Sequence, residues 1–582
     1  KQANTTAIFQ VESQGMKRYL LKLQPDSFED IIAMLALYRP GPLNSGMVDD
    51  FILRKQGQQR INYFHDDLKD CLTPTYGVIV YQEQVMQIAQ IMAGYTLGGA
   101  DLLRRAMGKK KPEEMAQQRS IFMEGAKAKG HPEKLATELF DLMEKFAEYG
   151  FNKSHTAAYA VITYQTAWLK AHYPAEFLAA TMSSDMDDTD KVAFLVGDAK
   201  ANGLGVLPPS INASGYRFEP VLGVDEQGHP VDASNAPPQT RARAIRYGLG
   251  AVRGVGESAV MSILKAREEG PFKDLFDFCA RVDRRLVNKR AMEALVKSGA
   301  FDETHPQGQA GRSQLVAGID LAVRVAEEAQ ANADQVGLFG DDSGAGSGAA
   351  HSLPQAPVYS ARETLLEEKL ALGYCFSGSL FDSVAHEVRR FAATPLARTM
   401  PTKDPIWIAG VVTNSRAQMT RRGMMRVIEL DDGSGRMEVT VFNELYDAKK
   451  HVLKVDDVLI ISAKIDNDEY SGGLRGSAME ILTLTEARGR HARAIKMTLA
   501  TNDLNEPPQK FMEQIRQLTM QSQANQQPAR GAHGCPIVLQ VQQGQQVCDV
   551  RLGSAYSCEP SDQTIAALKR VFGDQAVAVV YE

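Results

Sequence analysis

The sequence predicts a multidomain α+β protein, mostly helical over its first half, with a β-barrel further along and a small α/β domain after it. Three observations carry this expectation. At 582 residues the chain has room for roughly three to five domains of about 100–200 residues each. Apolar residues recur at helical spacing through residues 1–205. Between residues 404 and 485 the period drops to two, the spacing of strands that bury one face.

Local signals place each element. Val85, Ile88, Ala89 and Met92 fall at i, i+3, i+4 and i+7 and mark one apolar helix face. Pro112, followed by Glu113 and Glu114, reads as a helix start with acid in its first turn, and residues 112–147 are mostly helix formers. Pro40 and Pro42 predict a stiff loop over Arg39–Gly46. Pro, Gly and Asp crowd residues 220–240, which predicts a loop or insertion, and helices resume over 241–302. Residues 340–357 and 521–534 are low-complexity or polar and predict flexible segments. The runs IWIAGVV, MMRVIEL, MEVTVF and VLIISAKI, separated by turns such as DDGSG at Asp431–Gly435, predict the strands of a small barrel. The last stretch mixes short strands, PIVLQVQ and AVAVVY, with a helix near Ile565–Val571.

Composition excludes some classes. The chain is 44% hydrophobic and 23% charged, with a net charge of -6, so any nucleic-acid signal must be local. Its six cysteines form no CxxC pair, which argues against a zinc site or a disulfide framework and fits a reducing cytoplasm. No apolar run approaches the ~20 residues needed to span a bilayer, and Lys1–Thr6 carry no signal-peptide core. The missing initiator Met suggests a piece of a longer chain.

Four motifs could carry chemistry. Gly98–Lys111 holds Arg104, Arg105, Lys109, Lys110 and Lys111 against one acid, Asp101. Neighbouring arginines on a helix diverge by about 100°, so both meet one ligand only if it is extended, as a triphosphate is. The alternative is a solvated basic helix end. Tyr149–Ala160 gathers Asn152, Lys153, Ser154 and His155 at the start of a predicted helix, where backbone N–H groups favour phosphate. A plain polar cap by Ser154 or Thr156, with His155 incidental, is the competing reading. In Tyr247–Val260, Arg253, Gly254, Val255 and Gly256 suggest a tight hairpin between helices that can seat a DNA phosphate. A second half follows at Leu286–Asp302 with Lys289 and Arg290, and residues 241–297 hold 13 Lys and Arg against 7 Asp and Glu. An ordinary helical hairpin is the alternative. The peptide QVGLF, Gln335–Phe339, lies before the low-complexity stretch and offers Gln335, Leu338 and Phe339 to a partner's pocket.

The acidic pairs Asp49-Asp50, Asp66-Asp67, Asp187-Asp188 and Asp431-Asp432 lack the spaced D-x-D pattern of a two-metal site and read as surface or turn acids. No P-loop, nucleophile elbow or zinc signature appears.

The stretches AIFQVESQGMKRYL, ALYRPGPLNSGMVDDFI, PTYGVIVYQEQVMQIAQIMAGYTLGGADLLRRAMGKKKPEEM and KFAEYGFNKSHTAAYAVITYQTAWLKAHYPAEF closely resemble the bacterial DNA polymerase III alpha subunits, the C-family replicative polymerases. The likeness continues through the hairpin segment, QVGLF, LGYCFSG and the barrel. It implies fingers at 1–205, a clamp-binding domain with tandem helix-hairpin-helix units at 206–340, a flexible linker and connecting segment at 341–403, an OB-fold at 404–485 and a domain that binds the clamp-loader tau subunit at 486–582. By this resemblance Arg104 and Arg105 contact the dNTP triphosphate, and Lys153, Ser154 and His155 lie near the nucleotide pocket. Arg253, Gly254, Val255, Gly256, Lys289 and Arg290 hold primer-template DNA. Gln335, Leu338 and Phe339 anchor the beta sliding clamp, where Gly337 departs from the usual acidic or small polar residue. The family's PHP domain and palm, with the aspartates that bind Mg2+ and the half that carries the epsilon exonuclease, precede this stretch. The resemblance thus implies a Mg2+-dependent DNA-directed DNA polymerase as the intact subunit, and no catalytic or metal residue in this chain. The alternative is a binding module alone. The C-terminal domain and QVGLF favour a replicative over an error-prone form.

Overall fold

The computed structural model describes residues 2–109, 112–147, 150–222, 242–339, 352–420, 423–467, 473–500, 512–519, 534–543, 546–573 and 575–581. They divide into two units, Lys1–Val358 with Leu370–Tyr374, and Tyr359–Lys369 with Cys375–Glu582.

The first unit begins with α1 (Gln14–Leu23), α2 (Phe28–Leu37), α3 (Pro40–Asn44), α4 (Met47–Lys55), α5 (Lys69–Leu72), α6 (Gln82–Ala93), α7 (Leu97–Lys109), α8 (Pro112–Ala128), α9 (Glu133–Ala147), α10 (Lys153–His172), α11 (Pro174–Ser184) and α12 (Thr189–Ala201). Helix α6 stops at Gly94, whose φ of 68° suits glycine and lets its N–H turn back to the Ala89 and Gln90 carbonyls. The face predicted from Val85, Ile88, Ala89 and Met92 is buried against Leu103, Phe122, Leu139 and Phe140 of α7, α8 and α9. Helices α1, α2 and α4 bury Leu20, Leu23, Met34, Leu37 and Phe51 in a second core that includes Ala160 of α10.

The Arg39–Gly46 loop is not a loop. Pro40 starts the short helix α3, because the missing N–H of a proline costs nothing in a first turn and its fixed φ is already helical. A three-stranded sheet follows, made of β1 (Gly205–Leu207), β2 (Glu219–Leu222) and β3 (Ala242–Arg246) in the order β1-β3-β2. Two of these strands contradict the sequence expectation, since β2 begins the predicted loop and β3 begins the predicted helical stretch. Helices α13 (Glu257–Arg267), α14 (Leu275–Arg281), α15 (Lys289–Lys297) and α16 (Arg312–Phe339) complete the unit.

The second unit contains α17 (Ala361–Leu372), α18 (Asp382–Val388) and a closed barrel of β4 (Ile406–Thr420), β5 (Gly423–Asp431), β6 (Arg436–Val441), β7 (Val458–Asn467) and β8 (Leu474–Thr483), with α19 (Asn443–Lys449) between β6 and β7. The strand order is β4-β5-β6-β8-β7, and the parallel pairing of β6 with β8 closes it. Ile408, Val412, Ile428, Leu430, Val439, Leu459, Ile461 and Ile481 fill the interior. At Gly410, where β4 crosses β5, a Cβ would lie 3.0 Å from the Asp431 nitrogen, so the strands would have to part by a few tenths of an ångström to take one. Asp432 is not a surface acid: it is buried, accepts from the Leu396 N–H at 3.0 Å and pairs with Arg389 at 2.6 Å.

Helix α20 (Leu484–His491) leads into a sheet of β9 (Ala494–Ala500), β10 (Ile537–Gln543), β11 (Gln546–Arg551) and β12 (Val577–Val580), with α21 (Asp562–Phe572) preceding β12. The order is β11-β10-β9-β12, with β9 and β10 parallel. The barrel and this sheet meet at Arg488. Its guanidinium is nearly buried, donates twice to Glu387 of α18 at 2.8 and 2.7 Å, and pairs with Asp562 at 2.6 Å. Burial works against its charge, but the two carboxylates outweigh it and keep Arg488 protonated. Arg488→Ala is expected to lower stability by about 1–3 kcal/mol, because it strands the largely buried Glu387 carboxylate; differential scanning calorimetry checks this.

A second ion pair gives a pH prediction. Asp30 is buried in α2, where Lys55 of α4 lies 2.8 Å from its carboxylate. Burial alone would raise the Asp30 pKa, but Lys55 and the backbone N–H groups of Asp26 and Ser27 outweigh it and hold it below its ordinary value. The stabilisation is therefore present above the unfolded pKa of about 4 and is lost as pH falls through the lower folded value. The stability gap between the parent and Asp30→Asn should be widest near neutrality and shrink on acidification in urea titrations.

Candidate functional site

Helix α6 organises the site through its first turn. The chain before it pairs with the segment that leads into α10: Gln82 N–H donates to the Phe151 carbonyl at 2.9 Å, and Phe151 N–H to the Val80 carbonyl at 3.4 Å. Buried Gln84 fastens the turn from inside. Its Oε1 accepts from Val80 and Tyr81 N–H at 2.8 and 3.0 Å, and its Nε2 donates to Thr75 Oγ1 at 2.7 Å and the Cys71 carbonyl at 3.2 Å. The two neighbours of Tyr81 and Gln84, Gln82 and Glu83, reach the two motifs singled out in the sequence.

On one side, Gln82 Oε1 lies 3.4 Å from Arg104 Nη1, while its Nε2 donates to the Gly150 carbonyl at 3.3 Å. Arg104 and Arg105 do not diverge as their helical positions alone would dictate. Both turn onto Asp101: Arg104 Nε and Nη2 lie 2.9 and 2.7 Å from Oδ1, and Arg105 Nε lies 2.8 Å from Oδ2. Hydrogen bonds from Arg104 lead the effects that hold the Asp101 carboxyl below its ordinary pKa. Lys110 and Lys111 lie outside the described residues, as does the side chain of Lys109.

On the other side, the Glu83 carboxylate accepts the Lys153 backbone N–H at 3.1 and 2.9 Å. The cap of α10 is Asn152, not Ser154 or Thr156; it accepts from His155 N–H at 2.8 Å. Two N–H groups of that helix start are thus already bonded. The Lys153 ammonium lies 3.0 Å from Glu29 and over the buried Tyr81 ring. Together with Asp70, Cys71, Tyr81, Glu83 and Gln87, Lys153 lines a cavity of about 400 Å3. Burial first, then Glu29 and Glu83, push the Tyr81 hydroxyl pKa up. Ser154 is exposed, and exposed His155 stacks on Tyr159 at 4.5 Å and meets the edge of Phe151, which Arg39 covers at 4.2 Å. The structure therefore brings Arg104, Arg105, Lys153 and His155 into one connected surface, and adds Gln82, Glu83, Arg39 and Phe151. Those four carried no separate signal in the sequence.

A second region is the pair of hairpins. Gly254 has a φ of 81°, which favours glycine, and Gly256 precedes α13. Val255 between them is buried, so the hairpin can offer a ligand its backbone and not this side chain. Arg253 donates to Thr189 at 2.6 Å. In the second hairpin Asn288 caps α15, Lys289 pairs with Asp320 at 2.8 Å, and Arg290 is exposed with no partner among the described residues. Gln335–Phe339 does not lie in a loop: its backbone continues α16, while its side chains fall outside the described residues.

Family models match this division. Residues 1–130 match the bacterial DNA polymerase III alpha subunit finger domain, 203–311 the helix-hairpin-helix motif, and 406–483 the OB-fold nucleic acid binding domain. Finger helices, hairpins and barrel define a multidomain protein of the nucleic-acid-binding class. DNA polymerase III subunit alpha of Vibrio cholerae is 44% identical over 590 residues, covering 100% of this chain and 48% of the relative. The protein of that name from Escherichia coli O157:H7 is 41% identical over 593 residues, again 100% and 48%, and that of Neisseria meningitidis serogroup B is 48% identical over 503 residues, 86% and 41%. The chain is thus similar along its whole length to bacterial DNA polymerase III alpha subunits, and spans about half the length of these relatives.

Glu83→Gln removes the negative charge at the start of α10. It should lower stability by about 1 kcal/mol; an unchanged midpoint in guanidinium titration would remove Glu83 from the frame of the site.

Proposed function

We propose that this chain is the nucleotide-positioning and DNA-holding part of a DNA-directed DNA polymerase subunit. The observation that carries the reading is the connected surface around Gln82 and Glu83, which gathers two arginines, a lysine and a histidine inside the finger domain. Arg104 and Arg105 offset triphosphate charge, with Lys153, Ser154 and His155 beside the nucleotide. The hairpins at Arg253–Gly256 and Lys289–Arg290 hold duplex phosphates, and the barrel takes single-stranded template.

Domain roles follow the resemblance: fingers at 1–205, clamp-binding and hairpin units at 206–340, a connecting segment at 341–403, the barrel at 404–485 and a tau-binding domain at 486–582. The beta sliding clamp docks on Gln335, Leu338 and Phe339, and the epsilon exonuclease on the other half of an intact subunit. The setting is cytoplasmic. Among the described residues no group of three His, Cys, Asp or Glu could hold a metal ion. The described residues gather no carboxylate set for Mg2+, and the carboxylates that would hold it belong to the palm of an intact subunit.

Primer extension by the 582-residue chain with Mg2+ and dNTPs, beside a DNA-binding titration, tests the reading. The expected result is binding without extension; extension would mean that an acidic pair in this chain holds the metal. In an intact subunit, replacing Leu338 and Phe339 by Ala should abolish clamp-dependent processivity and spare clamp-free extension. Persistent processivity would leave QVGLF as helix end alone.

A further inference from the structure

We infer that the two arginines of α7 are not equivalent, and that Asp101 is a positioning residue which makes Arg105 the one that meets the triphosphate. The inference rests on the nucleotide reading above and deepens it.

The asymmetry lies in which nitrogens are used. Arg104 is engaged at all three: Nε and Nη2 on Asp101 Oδ1, and Nη1 towards Gln82. Arg105 is engaged only at Nε, on Asp101 Oδ2, and its two terminal nitrogens have no partner among the described residues. Its side chain is 62% exposed, against 34% for Arg104. Each terminal nitrogen carries two N–H groups, and together they form the planar edge that grips two phosphate oxygens at once. Arg104 is thus spent on holding Asp101 and Gln82 in place, while Asp101 holds Arg105 by its inner edge and leaves the outer edge for a ligand. Without that carboxylate the helical step of about 100° would splay the two side chains apart.

The carboxylate also repels an anion, and magnitudes decide which effect wins. A unit charge about 4 Å away in water weakens binding by about fivefold. Fixing a rotamer-rich side chain beforehand strengthens it by roughly two- to tenfold per side chain. Asp101 is itself fixed by two hydrogen bonds from Arg104, which puts the ordering of Arg105 at the upper end of that range, so ordering outweighs repulsion by about twofold.

The test is equilibrium binding of dATP, and in parallel of inorganic triphosphate, to the 582-residue chain, with circular dichroism confirming that each variant is folded. Arg105→Ala should weaken binding more than tenfold, Arg104→Ala about threefold, and Asp101→Ala about twofold. In the Arg105→Ala background, Asp101→Ala should cause no further loss, because its effect acts through Arg105; a merely structural role would persist in both backgrounds. If Asp101→Ala does not fold, the isosteric Asp101→Asn is read in its place and should show a smaller loss that likewise vanishes with Arg105→Ala. Tighter binding by Asp101→Ala, or a larger loss from Arg104→Ala than from Arg105→Ala, overturns the inference and leaves the nucleotide reading standing. Parent-like binding by the double variant Arg104→Ala, Arg105→Ala overturns the nucleotide reading itself.

Discussion

Gln84 sits buried in the first turn of α6 with both ends of its amide occupied, joining the backbone of Val80 and Tyr81 to Thr75 and Cys71. A buried amide with any of these bonds missing would cost about 1–3 kcal/mol, so the turn has one arrangement available. That arrangement aims Gln82 and Glu83 outward, and through them the basic helix α7 and the start of α10 take fixed places. The reactive-looking side chains of the first unit are therefore set by a residue that touches none of the proposed ligands.

Charge is handled the same way throughout. Cations of interest are rarely left alone: Arg104 and Arg105 share Asp101, Lys153 faces Glu29, Lys289 faces Asp320, and Arg488 is clamped by Glu387 and Asp562. For exposed pairs this adds little stability but limits where a long side chain can go. For Arg488, whose charge is nearly out of water, the Glu387 and Asp562 carboxylates offset the cost of burial and tie α20 to α18 and α21.

Much of the fold was legible in the sequence because periodicity reports burial. Helices α6 and α8 and the barrel strands lie where their patterns place them. Strands β2 and β3 were not legible, being four and five residues long, too short to show a period. Helix α3 hid behind its prolines, which signal a break as readily as a start. In the site, the arginines and the Lys153–His155 cluster stood out as runs of basic or polar residues. Gln82 and Glu83 did not, because a glutamine and a glutamate in a helix mean nothing until their neighbours are known. Asp432 was misplaced for a related reason: DDGSG describes a turn correctly but says nothing of Arg389 and Leu396, which bury it.

The sheet built on β9 has a consequence for how the chain matures. Both neighbours of β9 come later in the sequence: β10 joins it in parallel after a long excursion, and β12 pairs with it last. During synthesis Ile495 and Met497, fully buried in the finished sheet, leave the ribosome with nothing yet made to cover them. Pairings between distant segments form slowly, and an uncovered apolar strand is open to misplaced partners meanwhile. The region around β9 thus stays open to wrong pairing until β10 and β12 have both been made.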